Sequence, residues 1–421
     1  MTLSWIQIVR MGLVQMALGA IVVLTTSTLN RLMVVEFALP AILPGILVGL
    51  HYGIQLSRPH WGYTSDTGGN RTHWIIGGMA VLALGGFLAA FAVTLFASGF
   101  WGPLALSLLA YTLIGLGVGA SGTSLLALLA TATAPERRAA AATITWLMMI
   151  FGIALTAGVA GSFLDPYSPS RLLTVVGCVA ISATLVSILA VAGIEARVTA
   201  TRAPDPTPFM EGLRAVWAER KTRNFTIFVF LSMNAYFMQE LILEPYAGLV
   251  WGFTPGQSTS LAGAQNGGVF LGMLTVGIAA TGFKIGALRT WIVGGCLGSA
   301  VSLTLIATGA PITPTVIALG YFNGMFAVAA VGSMMSLAGE GRAQREGTRM
   351  GLWGAAQAIA AGFGGLTGAA AVDVLRGLQT DARAFGTVFT FEALLFVAAA
   401  VMALRIMETT RRTDAALVPG E

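Results

Sequence analysis

Apolar stretches of about 20 residues recur along the whole chain, broken by short polar segments. A helix of that length crosses a bilayer. The pattern predicts spans near 8–29, 35–56, 74–97, 103–131, 141–163, 172–194, 225–251, 260–281, 290–309, 313–338, 352–372 and 385–406. The longest polar stretch, Glu195 to Arg223, carries Pro204, Pro206 and Pro208, then a short amphipathic run from Phe209 to Trp217. It divides the spans evenly, into an N-terminal six-helix bundle over 1–194, a cytoplasmic linker over 195–223 and a C-terminal bundle with a short tail over 224–421. The fold class predicted is an all-α integral membrane protein.

The halves resemble each other at an offset near 207: Trp146 matches Trp353, and Asp165 matches Asp373 at the outer end of the same spans. Asn30-Arg31-Leu32-Met33-Val34-Val35-Glu36 echoes Gln239-Glu240-Leu241-Ile242-Leu243-Glu244, each at the outer end of the first span of its half. Two six-span halves in one orientation are the architecture of major facilitator proteins. The loop after the second span agrees. Gly62, Asp66, Gly69 and Arg71 resemble the facilitator loop signature that sets the inward–outward balance, with Thr67 where a basic residue is usual. The second half keeps only Lys284 and Arg289 of it.

Composition narrows the class. The chain is 56% hydrophobic and 10% charged, against about 25% charged for a soluble domain. With the N-terminus inside, all of the 23 Lys and Arg except Arg31, Arg171, Arg376 and Arg383 fall on cytoplasmic segments. That is the positive-inside pattern, with both termini cytoplasmic. The net charge of +5 therefore follows topology and implies no nucleic-acid partner. The N-terminus shows no small-residue cleavage site and reads as the first span. Cys178 and Cys296 lie within spans and imply neither disulfide nor metal cluster. Asn70-Arg71-Thr72 and Asn224-Phe225-Thr226 match the glycosylation sequon by chance, on the cytoplasmic side.

Ionisable groups inside spans point to a site. Glu240 and Glu244, four apart, share a helix face with Tyr236 and Phe237. Carboxylates in a lipid-spanning helix face a protein interior or cavity and mark function, or tie helices together. Pro245 removes a hydrogen bond and clashes with the Leu241 carbonyl, which predicts a bend and exposed backbone acceptors. Glu36, Arg31, Gln239, Glu240 and Glu244 are expected to cluster towards the outer half of a central cavity, with Arg31 neutralising one carboxylate. His51, beside Tyr52 and one turn before Gln55, is either a hydrogen-bond donor between helices or an axial ligand to the magnesium of a chlorophyll-type pigment. Gln265-Asn266 is the matching region of the second half. Glu392 and Asn323 read as helix-packing residues, and Pro40 and Pro44 as bends in the second span.

No catalytic set is present. The three histidines, His51, His60 and His73, have no cysteine or acid at metal-ligand spacing, and no P-loop occurs. Gly115-Leu116-Gly117-Val118-Gly119-Ala120-Ser121-Gly122 contains a GxGxxG, but within an apolar span. The small residues there, like Gly354, Ala358 and Gly362 and like Gly263 and Gly267, serve close helix approach instead.

Several stretches resemble the PucC/LhaA family, the bacteriochlorophyll delivery branch of the major facilitators. They are Leu29 to Ala41, with Asn30, Arg31, Glu36 and Pro40; Leu50-His51-Tyr52 with Arg58-Pro59-His60-Trp61-Gly62 and Ser65-Asp66-Thr67; Gly119 to Ala130 followed by Pro135 to Arg138; Gln239 to Gly248; and Gly351 to Ala358. The Asn-Arg…Glu and Glu-Pro-Tyr segments are the specific ones. Ala247-Gly248 stands where Gly-Gly is expected after Tyr246.

The resemblance implies a light-harvesting complex assembly factor in the intracytoplasmic inner membrane of a phototrophic bacterium. Its expected partners are antenna polypeptides, bacteriochlorophyll or its synthesis enzymes, and lipid. The candidate pigment-binding residues are His51, Asn30, Arg31, Glu36, Gln239, Glu240, Glu244 and Tyr246. A proton-coupled transporter of a small lipophilic solute and a scaffold without a central ligand are the competing readings.

Overall fold

The structure is a computed structural model and describes residues 2–58, 61, 71–134, 137–195, 214, 217–283, 285–340 and 346–415. Among these the membrane-length helices are α1 (Trp5–Glu36), α3 (Arg71–Ser98), α4 (Trp101–Leu129), α5 (Ala140–Leu164), α6 (Pro169–Val191), α7 (Arg220–Trp251), α8 (Pro255–Ala280), α9 (Leu288–Ala307), α10 (Ile312–Ser333), α11 (Ala356–Arg376) and α12 (Asp381–Ile406). A shorter apolar helix, α2 (Ile42–Ser57), stands between α1 and α3. The chain is a multi-pass membrane protein of twelve apolar helices among the described residues. Most of the linker, and Gly62, Asp66 and Gly69 of the loop signature, lie outside them.

Two predicted boundaries move. The first span does not stop near residue 29, because no proline or glycine interrupts the chain between Gly19 and Pro40, and α1 runs on to Glu36. Asn30, Arg31 and Glu36 are therefore all on α1. Nor do the prolines bend α2. Pro40 precedes it and Pro44 sits in its first turn, where the missing amide hydrogen has no helical partner to lose.

Buried apolar residues form one large cluster built from α1–α6, including Leu18, Leu82, Ile114 and Leu164, and another built from α7–α12, including Phe228, Ile242, Phe326 and Phe396. Within each, glycine lets backbones touch. A methyl group at Gly117 would lie 2.6 Å from the Gly78 carbonyl oxygen, and methyls at Gly272 and Gly324 would overlap the carbonyls of Tyr321 and Val269. The GxGxxG of α4 is thus a helix-packing surface. Large exposed side chains such as Leu84, Phe91, Leu189, Leu305 and Phe391 form the outer belt.

The two halves meet along α2–α11 and α5–α8. Both seams run inward from the end of the molecule opposite the chain termini, here the far end. On α2–α11 the contact extends from Ala41 and Asp373 through Gly45, packed on Ala369 and Leu366, to Tyr52 and Gly362. On α5–α8 it extends from Asp165 and Gly256 through Gly158 and Gly263 to Phe151 and Phe270, whose rings are 5.7 Å apart. Next to Tyr52 along α2, a methyl at Gly53 would meet nothing within 4 Å. Both seams reach the far end, where Asp373 and Asp165 lie.

The first helices of the halves, α1 and α7, join at one backbone position. Pro245 lies inside α7, which continues past it to Trp251. Its ring nitrogen cannot donate to the Leu241 carbonyl. In lipid no water can replace that donor. The Asn30 side-chain amide of α1 does, at 2.5 Å. The acceptor expected from the proline is therefore exposed only to the other half of the molecule.

The last two observations generate predictions. Asn30→Ala strands a buried carbonyl and is expected to cost about 1–3 kcal/mol of stability. Pro245→Ala returns the amide hydrogen, so in that background the same change should cost little, a coupling visible in a double-mutant cycle of denaturation midpoints. Strict additivity would show that the two residues do not share the carbonyl. Gly272→Ala should also lower the midpoint, by about 1–3 kcal/mol as an overpacked contact, while Gly53→Ala should leave it within error.

Candidate functional site

The polar residues at the α1–α7 joint depend on an irregular helix. In α1, π-helical turns at Leu24–Thr28 and Leu32–Glu36 flank a single α turn, Leu29–Arg31. Such turns widen the helix, release carbonyls and occur often at functional sites. The released groups are answered locally. Thr25 and Thr26 donate to the Val22 carbonyl at 2.8 and 3.2 Å, and the Tyr111 hydroxyl of α4 donates to the Thr25 carbonyl at 2.7 Å.

The hydroxyls of this run also turn to the C-terminal half. Ser27 donates to Glu244, Thr26 reaches Glu240 at 3.5 Å, and Thr28 pairs with Thr259 of α8 at 3.0 Å. Glu244 is 2% exposed, and its second carboxyl oxygen has no partner. The side-chain oxygens of Gln239 and Asn30 are also buried and without partners. Glu240 is half-buried.

Arg31 takes a different acid from its neighbours. It pairs with Glu36 of its own helix at 2.6 Å and donates to the Phe253 carbonyl beyond the end of α7, also at 2.6 Å. Gly248 makes room for Val35 and Arg31, since a methyl there would lie 2.9 Å from Val35 Cγ2 and 3.3 Å from Arg31 Nε. The expected set of Asn30, Arg31, Glu36, Gln239, Glu240 and Glu244 is thus gathered on α1 and α7, with two exceptions to a single pocket. Glu36 is exposed at the far end. Tyr246, which follows Pro245, points away into the C-terminal half, donating to the Ile306 carbonyl at 3.2 Å and packing on Phe385 and Phe389.

A row of rings links α2 to this joint. His51 and Tyr52 have centroids 4.8 Å apart, Tyr52 and Phe237 5.8 Å, and Phe237 and Tyr236 5.2 Å. Tyr52, Tyr236 and Phe237 are half-buried, like Glu240 one turn further along α7. Together they form an aromatic shelf with one carboxyl at its edge.

His51 itself is buried against α4, where a methyl at Gly115 would lie 2.8 Å from the His51 carbonyl. Arg58 donates to the Gln55 carbonyl oxygen, which leaves the Gln55 amide nitrogen to donate to His51 Nε2 at 2.9 Å. That order makes Nδ1 the protonated ring nitrogen, and Nδ1 has no partner. In this arrangement the Nε2 lone pair is taken by the Gln55 amide. Coordinating a magnesium would require Gln55 to release it.

Other predicted positions are dispersed. Arg71, the described member of the loop signature, donates its backbone amide to the Glu195 carboxylate at 2.8 Å, as does Thr72. Asn323 accepts from Ser299 at 2.8 Å. Glu392 is fully buried with neither oxygen bonded. Among the described residues no group of three metal-ligating side chains occurs. Sequence reasoning missed Thr26, Ser27, Thr28 and Thr259. The signal for the first three was available, as four consecutive hydroxyl residues, Thr25 to Thr28, inside an apolar span.

Comparison with known proteins gives the chain a family and a fold. The chain is 66% identical over 414 residues to the "Bacteriochlorophyll synthase 44.5 kDa chain" of Rhodobacter capsulatus, covering 97% of this chain and 96% of that one. It is 28% identical to the Protein PucC of the same organism, covering 96% and 92%. Among solved structures it resembles the nucleoside transporter NupG, with a TM-score of 0.69 at 13% identity and coverage of 95% and 98%. A bacterial homolog of the human lysosomal transporter Spinster gives 0.66 at 14%, covering 96% and 95%. At such identities the likeness concerns the fold, which is that of the major facilitators. A family model described as PUCC protein matches residues 28–411, from the hydroxyl run of α1 to beyond α12, and the chain belongs to that family.

Proposed function

We propose that this protein is an assembly factor for light-harvesting complexes, handling bacteriochlorophyll as cargo between its synthesis enzymes and antenna polypeptides. The observation that carries the reading is the aromatic shelf of Tyr52, Phe237 and Tyr236 with Glu240 at its edge. Half-buried rings that meet edge to face suit contact with a large planar macrocycle. A few polar atoms in a dry wall suit the keto and ester groups at its rim. The printed names of the relatives support the same cargo class. No enzymatic step is assigned to the chain, and the major facilitator fold favours carriage over chemistry.

In this scheme Glu240 and Tyr236 hold polar substituents, Tyr52 and Phe237 contact the ring face, and Glu244, Gln239 and Asn30 keep the α1–α7 joint polar behind them. In this reading the protein sits in the intracytoplasmic inner membrane, and the distribution of Lys and Arg supports both termini lying in the cytoplasm. The unpartnered oxygen of Glu244 favours a second reading, proton-coupled transport of a small lipophilic solute, because a buried carboxyl short of partners is a natural proton site.

The readings separate on one variant. Under the first, Glu240→Gln lowers antenna absorbance in membranes of a phototrophic host and leaves proton flux in vesicles at the level of empty membranes. Under the second, the parent protein drives proton-linked uptake, and the variant abolishes it. The shelf adds its own prediction. Losing one ring contact, Phe237→Ala, should weaken pigment retention about tenfold, the equivalent of about 1.4 kcal/mol. Tyr246→Phe, which lies outside the shelf, should leave retention unchanged. Equal retention by parent and Phe237→Ala would remove the shelf from the site.

A further inference from the structure

Two carboxylates that the site leaves unused stand at the far end, where the halves close. They are Asp165 and Asp373, the pair that the internal repeat matches. Each ends a fifth span of its half, and each reaches across to the other half. Asp165, just past α5, accepts from the Thr254 hydroxyl at 2.5 Å and from the Gly256 backbone amide at 3.1 Å, in the first turn of α8. Asp373, in the last turn of α11, accepts from the backbone amides of Ala41 at 2.9 Å and Ile42 at 2.7 Å, at the start of α2. The two arrangements are the same device in reverse: acid from the fifth span of one half, amides from the second span of the other.

The chemistry is that of a cap. A helix start offers unpaired amide hydrogens and a partial positive charge, and a carboxylate there makes charge-assisted bonds. An ordinary cap comes from the residue just before the helix. The start of α2 has no such side chain of its own. The start of α8 has its own capping box in Thr254 and Gln257, and Asp165 adds to it; both acids come from far along the chain, 91 and 332 residues away. The fit is close, since a methyl at Gly256 would lie 2.5 Å from the Asp165 carboxyl carbon. Both sit at the far-end rim of the two seams.

We infer that Asp165 and Asp373 are paired latches that hold the far end shut, and that the far end opens by releasing both. They are positioning residues for the closed state. The inference makes the chain a molecule whose halves move, whatever it carries, and does not rest on the cargo proposed above. Because the acids are related by the repeat, each latch contributes separately, and losing both should shift the balance by the product of the single effects.

Spin-label distances test this on the full-length protein in nanodiscs. Labels at Ser170→Cys and Thr380→Cys, exposed far-end positions in the two halves, report the opening. Cys178→Ser removes the exposed native thiol, and Cys296 is buried. The parent should give one short distance. Asp165→Asn and Asp373→Asn keep the shape but remove the charge, and each should raise a longer-distance population about tenfold, one charge-assisted bond's worth. The double variant should make it dominant. Should the double variant not fold, the two single variants decide. Distributions that match the parent in both single variants would overturn the inference, as would a longer distance in one variant only.

Discussion

In lipid, a backbone carbonyl without a partner has no water to turn to, and this molecule contains one by construction. Pro245 deprives the Leu241 carbonyl of its helical donor in the middle of α7. Asn30 supplies a replacement from α1. That single bond fixes the register of the first helix of one half against the first helix of the other. With the register set, Ser27 meets Glu244, Thr26 faces Glu240 and Arg31 reaches the Phe253 carbonyl. A proline usually regarded as a kink here acts as a socket, and the polar residues on both sides are arranged around it.

Much of this was legible in the sequence because lipid simplifies the rules. Span length and the Lys and Arg distribution follow from hydrophobic thickness and charge, and the repeat made Asp165 and Asp373 a pair before any contact was known. The Glu-Pro-Tyr segment of α7 marked the joint. What stayed hidden depended on helix geometry. The π turns of α1 have no composition of their own, so a span expected to end near residue 29 runs on to Glu36. Arg31 finds Glu36 instead of Glu240 or Glu244 because the second π turn, Leu32–Glu36, brings that acid round to it. Tyr246, adjacent to the joint in sequence, faces the opposite side because consecutive residues on a helix stand about 100° apart. His51 read as a packing residue or a ligand, and the order of donors along Arg58, Gln55 and His51 lay beyond what the sequence could show.

The polar joint and the rim latches divide the work at the far end. Both bridge the two halves, but the joint is buried at the first helices while the latches sit at the edges of the two seams. The aromatic shelf adjoins the joint, since Tyr236 and Phe237 precede Gln239 and Glu240 on α7 and Tyr52 meets Phe237 from α2.

The central claim is that the shelf receives a bacteriochlorophyll-type ring, and an absorption spectrum tests it most directly. The protein would be purified gently from a phototrophic host, its spectrum recorded and its pigment extracted and counted. The account predicts a near-stoichiometric bacteriochlorophyll band that fades in Glu240→Gln. A colourless, folded preparation, or a band of undiminished strength in that variant, would contradict it.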